Sequence, residues 1–207
     1  MVQPSQSNPA NNSDITVLES QLRDCYGRVV WTHKTHEKCA DIYAAQLKAL
    51  KRNEIVLSAL TTTRLLTSIF VAQRWGIIIG TLLSTVLLGV TLYAKDYDLA
   101  KIAKSHADTA VKMWSIRESY LSLLTDIKLH NLTLNQIQAK RDELQNQLAS
   151  VYQNAPRTNS QAYDKASKAL KSNEEMTFSD EEIDKFLPND IEESSRNLNL
   201  INSILGL

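Results

Sequence analysis

Forty residues, Ile55 to Ala94, constrain this chain more than any others. They read IVLSALTTTRLLTSIFVAQRWGIIIGTLLSTVLLGVTLYA, two apolar segments of 18 and 19 residues joined by Gln73, Arg74 and Trp75. At about 1.5 Å of rise per residue, each segment folded as a helix covers nearly all of a hydrocarbon core of about 30 Å. The pattern predicts a transmembrane hairpin. Trp75 at the outer turn and Tyr93 and Tyr97 at the inner edge suit the aromatic belts of a bilayer. Those belts favour spanning over the competing reading, a hairpin in a soluble bundle, which draws on the seven polar residues of the first segment.

Charges around the hairpin orient it. Lys38, Lys48, Lys51 and Arg52 precede the first segment, Lys95, Lys101, Lys104 and Lys112 follow the second, and Arg74 lies between them. The excess of cations on one side predicts both termini in the cytoplasm. The opening MVQPSQSNPANNS has neither a basic cluster nor an apolar core, so it does not read as a cleaved signal peptide. Cys25 and Cys39 stand fourteen positions apart in one predicted helix, about 21 Å of rise, which excludes a disulfide within that helix and fits reduced thiols. With 23 basic and 23 acidic residues the chain has no net charge and no local basic patch, so direct nucleic-acid binding is not predicted.

Outside the hairpin the apolar residues follow helical spacing. Residues 1–13 are polar and Pro-containing and are predicted to be disordered, with Ser13 as the cap of the next helix. Residues 14–188 read as one domain: a cytosolic helix over 14–54, bent at Gly27 if anywhere and running straight into the membrane, the hairpin over 55–94, and cytosolic helices over 95–188. In that last stretch HNLTLNQ interrupts a long helix, and Thr133 with Gln136 forms a capping-box signature for the next, which should stop before Pro156. Shorter helices follow around 161–171 and from Ser179 with Glu182. The tail 189–207 reads equally as a loose helix or as disorder. No segment alternates as a strand does. The expected fold is therefore an all-α membrane protein, a two-helix transmembrane hairpin with long cytosolic helices on both sides.

Within the first segment Glu54, Ser58, Thr61, Arg64 and Ser68 recur at steps of four, three, three and four, along one side of a helix. An Arg near the middle of a span costs roughly 2.5 to 3.5 kcal/mol on insertion scales, so this side should face protein or water. One reading makes it the polar wall of a pore in a homo-oligomer, with Arg64 lining the path or closing it by a salt bridge. In the other, Arg64 snorkels or bonds its own hairpin. In the second segment Gly76, Gly80 and Ser84 form a ladder of small residues that lets helix backbones approach, and the short turn favours the first segment as its partner.

Few residues suggest chemistry. His33, His36, Glu37 and Cys39 fall within seven positions, but Cys39 points partly away from His33 and no second cluster completes a zinc site. A polar stretch of a long helix is the simpler reading. Glu174, Glu175, Asp180, Glu181, Glu182 and Asp184 crowd together without an acid–base partner, either as a solvated helix start or as a docking surface for a basic partner. A Gly-rich phosphate loop, a nucleophile elbow and an HExxH motif are all lacking. The expectation is no enzyme activity, no cofactor and no metal.

The order of parts carries a resemblance. THKTHEKCADIYAAQLKALKRNEIVLSALTTT enters the membrane, AKSHADTAVKMWSIRESYLSLL returns from it, and NAPRTNSQAYDKASKAL and FSDEEIDKFLP follow. From Val29 to Pro188 the chain resembles the SLATT family of bacterial two-transmembrane proteins. That resemblance implies a membrane effector of antiphage conflict systems, acting by abortive infection. It also implies a gene neighbour that is a nucleotide second-messenger synthase, a nucleotide sensor or a reverse transcriptase, and a pore opened on its signal. The alternative is a non-conducting anchor that recruits a cytosolic enzyme through its helices.

Overall fold

Sixty-two consecutive residues, Pro9–Phe70, form a single α-helix, α1. The computed structural model describes residues 9–70, 74–179 and 182–183, and side chains over 13–63, 78–179 and 182–183. Pro9 suits a first helical position, where the missing N–H would have had no intrahelical partner. The helix thus starts ahead of Ser13, which lies inside it rather than capping it. Gly27 does not interrupt it. At about 1.5 Å per residue α1 extends for roughly 93 Å, long enough to reach from a cytosolic bundle into a membrane without a joint.

The second membrane helix, α2, spans Arg74–Asp96. Arg74 and Trp75 therefore belong to the helix and not to the turn where the sequence reading placed them. The stretch starting at Ile78 contains an 18-residue window of mean hydropathy 1.6, none of it buried inside the protein, and is the candidate span among the described residues. A soluble core helix of that hydropathy would be covered. Here Ile78, Leu82, Val86, Leu88 and Leu92 are all at least half exposed, as lipid-facing residues are.

A short break at Tyr97 and Asp98 separates α2 from α3, Leu99–Lys128. Asp98 makes the break: its carboxylate accepts the Lys101 amide at 2.9 Å and caps the new helix. At the far end His130 adopts φ 56°, a left-handed conformation at which the chain turns without a glycine. Helix α4, Leu134–Asn154, then starts from Thr133 with both bonds of a capping box, the Gln136 amide donating to the Thr133 hydroxyl and the Thr133 amide donating to the Gln136 side chain. Replacing Thr133 with Ala should lower stability by about 1 kcal/mol, read as a shifted urea midpoint; an unchanged midpoint would show that the cap is idle. Helix α4 ends two residues before Pro156, and α5 covers Ser160–Lys171.

The core lies beyond the hairpin and is built from three helices. Leu22 and Val29 of α1, Met113 and Tyr120 of α3, and Ile137 of α4 have at most 1% of their surface exposed, and they belong to one cluster with Leu18, Cys25, Ile116, Leu123, Ile127 and Leu144. Higher along α1 a second cluster of Cys39 and Ile42 receives Ala162 from the start of α5, where Trp31 packs on Tyr163 at 5.4 Å between ring centroids. Both cysteines are buried and free.

Residues 1–166 form one compact unit and residues 167–207 another. Within the second, Glu174 takes φ 51°, the Thr177 hydroxyl donates to the Glu174 carbonyl at 3.0 Å, and Ser179 and Glu182 exchange two capping bonds of 2.9 and 3.3 Å. Asp180, Glu181 and Asp184 of the acidic segment, and the tail 189–207, lie outside the described residues.

Candidate functional site

Burial along the hairpin shows how its two helices meet. On α1 the half-buried positions are Glu54, Leu57 and Thr61; on α2 they are Gly80, Leu83, Leu87, Val90 and Ala94. Both sets step by three and four, the rhythm of a helix–helix seam. The polar positions read from the sequence therefore do not form one outward wall. Glu54 and Thr61 lie on the seam, whereas Ser58, one residue and about 100° round from Leu57, is exposed. Arg64 and Ser68 are in α1, and Gly76 is in α2, but their side chains fall outside the described set.

Gly80 sits on the seam, yet a Cβ added there would meet nothing within 4 Å. Ser84 is exposed.

Glu54 and Ser58 instead line a groove along one side of the hairpin, with Thr62 and Thr63 of α1 and Leu87 and Thr91 of α2. The groove encloses about 790 Å³ and is open to its surroundings. Each threonine hydroxyl donates within its own helix: Thr62 to the Ser58 carbonyl, Thr63 to the Ala59 carbonyl and Thr91 to the Leu87 carbonyl, all at 2.9 Å. Those bonds remove the cost of an unpaired donor at membrane depth and leave the oxygen lone pairs facing the groove. Thr61 makes the same bond, to the Leu57 carbonyl at 2.8 Å, on the seam. Sequence reasoning found Glu54 and Ser58 but missed Thr62, Thr63 and Thr91. Thr91 belongs to a segment that reads as mainly apolar, and only the packing of two helices brings it opposite Ser58 and Thr62.

Below the membrane α1 and α3 are joined by a buried histidine pair. The Nδ1 atoms of His36 and His106 lie 2.9 Å apart, a hydrogen bond in which one ring donates and the other accepts. Tyr43 stacks on His106 at 5.6 Å and an interplanar angle of 14°. Burial, with His106 and His33 as neighbours, lowers His36 to about 4, and burial lowers His106 as well. Both rings are thus neutral at neutral pH, as a single shared proton between them requires. His33 is also lowered, chiefly by burial, although Glu37 at 3.6 Å opposes the shift. Burial pushes the Cys39 thiol up against the opposing backbone hydrogen bond from Asn159. His36 pairs with His106 and His33 with Glu37, so the cluster noted in the sequence is divided between two contacts; among the described residues no group of three or more ligands could hold a metal ion.

An apolar hairpin with exposed flanks is thus fed by a helix that continues unbroken into a helical bundle. Residues 18–182 match the SMODS and SLOG-associating 2TM effector domain family 4. The chain belongs to this family. It is a membrane protein of the two-transmembrane effector class, which is not a known enzyme family. No curated protein and no solved structure matches it.

Proposed function

We propose that the protein is the membrane-disrupting effector of an antiphage system. Several copies assemble in the bacterial inner membrane, both termini cytoplasmic, and open a polar path through the hairpins when a signal reaches the cytosolic helices. The supporting observation is the groove of Glu54, Ser58, Thr62, Thr63 and Thr91 on the flank of the hairpin. Lipid is a poor partner for the Glu54 carboxyl and for hydroxyl oxygens whose lone pairs face the groove, and a two-helix hairpin cannot enclose a lumen alone. Copies placed with their grooves toward a common axis would satisfy both conditions.

The signal enters through α1. This helix is one rigid element from the bundle to the membrane, so a tilt imposed at the His36–His106 contact carries to the groove. The family is described by its association with SMODS and SLOG domains, which supports a gene neighbour that makes or senses a nucleotide second messenger as the source of the trigger.

The test is membrane potential, followed with a voltage-sensitive dye in cells carrying the native gene neighbourhood before and after phage challenge. The triple variant Thr62→Val, Thr63→Val and Thr91→Val keeps shape and removes the hydroxyls. It should insert at wild-type levels while depolarisation slows by at least about ten-fold, the size expected from desolvating a polar path by a few kcal/mol. Cells that stay polarised while still protected, or a hairpin replaceable by an unrelated two-span anchor, would instead establish recruitment of a cytosolic enzyme.

A further inference from the structure

Helix α3 carries two apolar stripes. Its core stripe packs against α1 and α4, with His106, Met113 and Tyr120 seven residues apart. One residue round, the series Ala100, Ala107, Trp114 and Leu121 repeats at the same interval and is exposed throughout. Trp114 is 50% exposed and Leu121 45%, and Val111, on the same side, is 67% exposed. Beyond the break at Tyr97 and Asp98, α2 carries its own series at the same interval, Ile79, Val86 and Tyr93, also exposed. Lipid can cover the α2 part. Among the described residues none covers the outer side of the α3 part.

We infer that this stripe is the contact between two copies of the chain, α3 against α3 in parallel along a two-fold axis normal to the membrane. The inference builds on the reading that hairpins of several copies share one membrane, and it supplies the surface that holds them together. A repeat of seven is the period that a supercoiled helix pair keeps facing its partner, whereas a helix lying singly on a surface follows 3.6. Copies inserted in the same membrane with the same topology have their α3 helices running in the same direction and at the same height, so each stripe position meets its own copy.

Electrostatics do not oppose the contact. The two charged residues that interrupt the stripe are neutralised within their own chain, Lys104 by Asp108 at 3.1 Å and Glu118 by Arg117. The extent is also adequate. From Ile79 to Tyr93 α2 rises about 21 Å and from Ala100 to Leu121 α3 rises about 32 Å, and strips roughly 10 to 12 Å wide along both cover about 530 to 640 Å² per copy, a total above the roughly 1,000 Å² that a specific interface needs. Trp114, at the centre of the cytosolic stretch, is the residue type most enriched at such contacts.

Oxidative cross-linking of the full-length protein in native membranes tests the pairing. Cysteine is placed at Trp114 or Leu121 on the stripe, or at Ser119 on another exposed side of the same helix, with the wild type reporting any background from Cys25 and Cys39. The expected result is a disulfide-linked dimer for Trp114→Cys and Leu121→Cys, at least ten-fold above Ser119→Cys and wild type. Cross-linking at Tyr93→Cys should fall by a similar factor when Trp114→Glu and Leu121→Glu are added. Equal linkage at all positions, or none on the stripe, would overturn the interface. Depolarisation measured in the same cells separates the two ideas: failure to cross-link with depolarisation intact removes this surface and leaves the pore, and stripe-specific dimers in cells that never depolarise keep the surface and remove the pore.

Discussion

Acidifying the purified protein from pH 6.5 to about 4 is expected to remove about 3 kcal/mol of stability through His36 alone, the free-energy equivalent of its pKa displacement from 6.5 to about 4. In the unfolded chain His36 takes up a proton as the pH falls through 6.5. In the folded protein it resists until about 4, because the ring is 2% exposed and shares its Nδ1 contact with His106. Between these values the unfolded state holds more protons, so stability is full above 6.5, declines with falling pH, and has lost this contribution by about 4. His106 and His33 are displaced in the same direction and steepen the decline. The His36 neighbours that matter come from both helices: His33 on α1 and His106 on α3, the latter stacked on Tyr43. Urea midpoints in detergent across this range should fall steadily for the wild type and less steeply for His36→Gln, whose amide keeps a hydrogen bond without titrating. Parallel slopes for the two proteins would show that His36 is not held neutral by burial.

Local signals were legible in the sequence and contacts between distant residues were not. The Thr133–Gln136 capping box needs only residues three apart, and it stands in the structure as the sequence reads. The interruption at HNLTLNQ was readable for the same reason, although the left-handed residue proved to be His130, which no glycine signals. The start of α1 was misplaced because polar composition suggested disorder while Pro9, which can open a helix, was passed over. The His36–His106 pair joins residues 70 apart. Helical spacing puts each on a mostly apolar face, but periodicity gives a face and not its partner. The groove shows the same limit: spacing on α1 gave Glu54 and Ser58, while Thr91 enters only when α2 is laid against α1. The seam also divides what spacing had grouped, since a stripe that steps by three and four contains Leu57 and Thr61 and leaves Ser58 outside.

Truncating Tyr120 should have a comparably large effect on the cytosolic bundle. Its side chain is fully buried among Cys25, Met113 and the other residues where α1, α3 and α4 meet. Burial and the adjacent Cys25 push its hydroxyl up to about 12, so it stays neutral and contributes as a packed ring. Tyr120→Ala removes that ring from between three helices that are each tied to others, which limits how far the cavity can collapse. A loss of about 3 to 5 kcal/mol follows for an aromatic-to-alanine change in such a core. Tyr120→Phe keeps the ring and should cost no more than about 1 kcal/mol, the worth of a single buried hydroxyl contact. Fluorescence of Trp31 and Trp114, both on the cytosolic helices, reports the unfolding. A loss below about 1 kcal/mol for the alanine variant would mean that the three helices do not share one core. The expected loss carries a functional consequence: because α1 connects the bundle to the groove without a joint, loosening its cytosolic half should leave the hairpin inserted yet unable to respond to phage challenge.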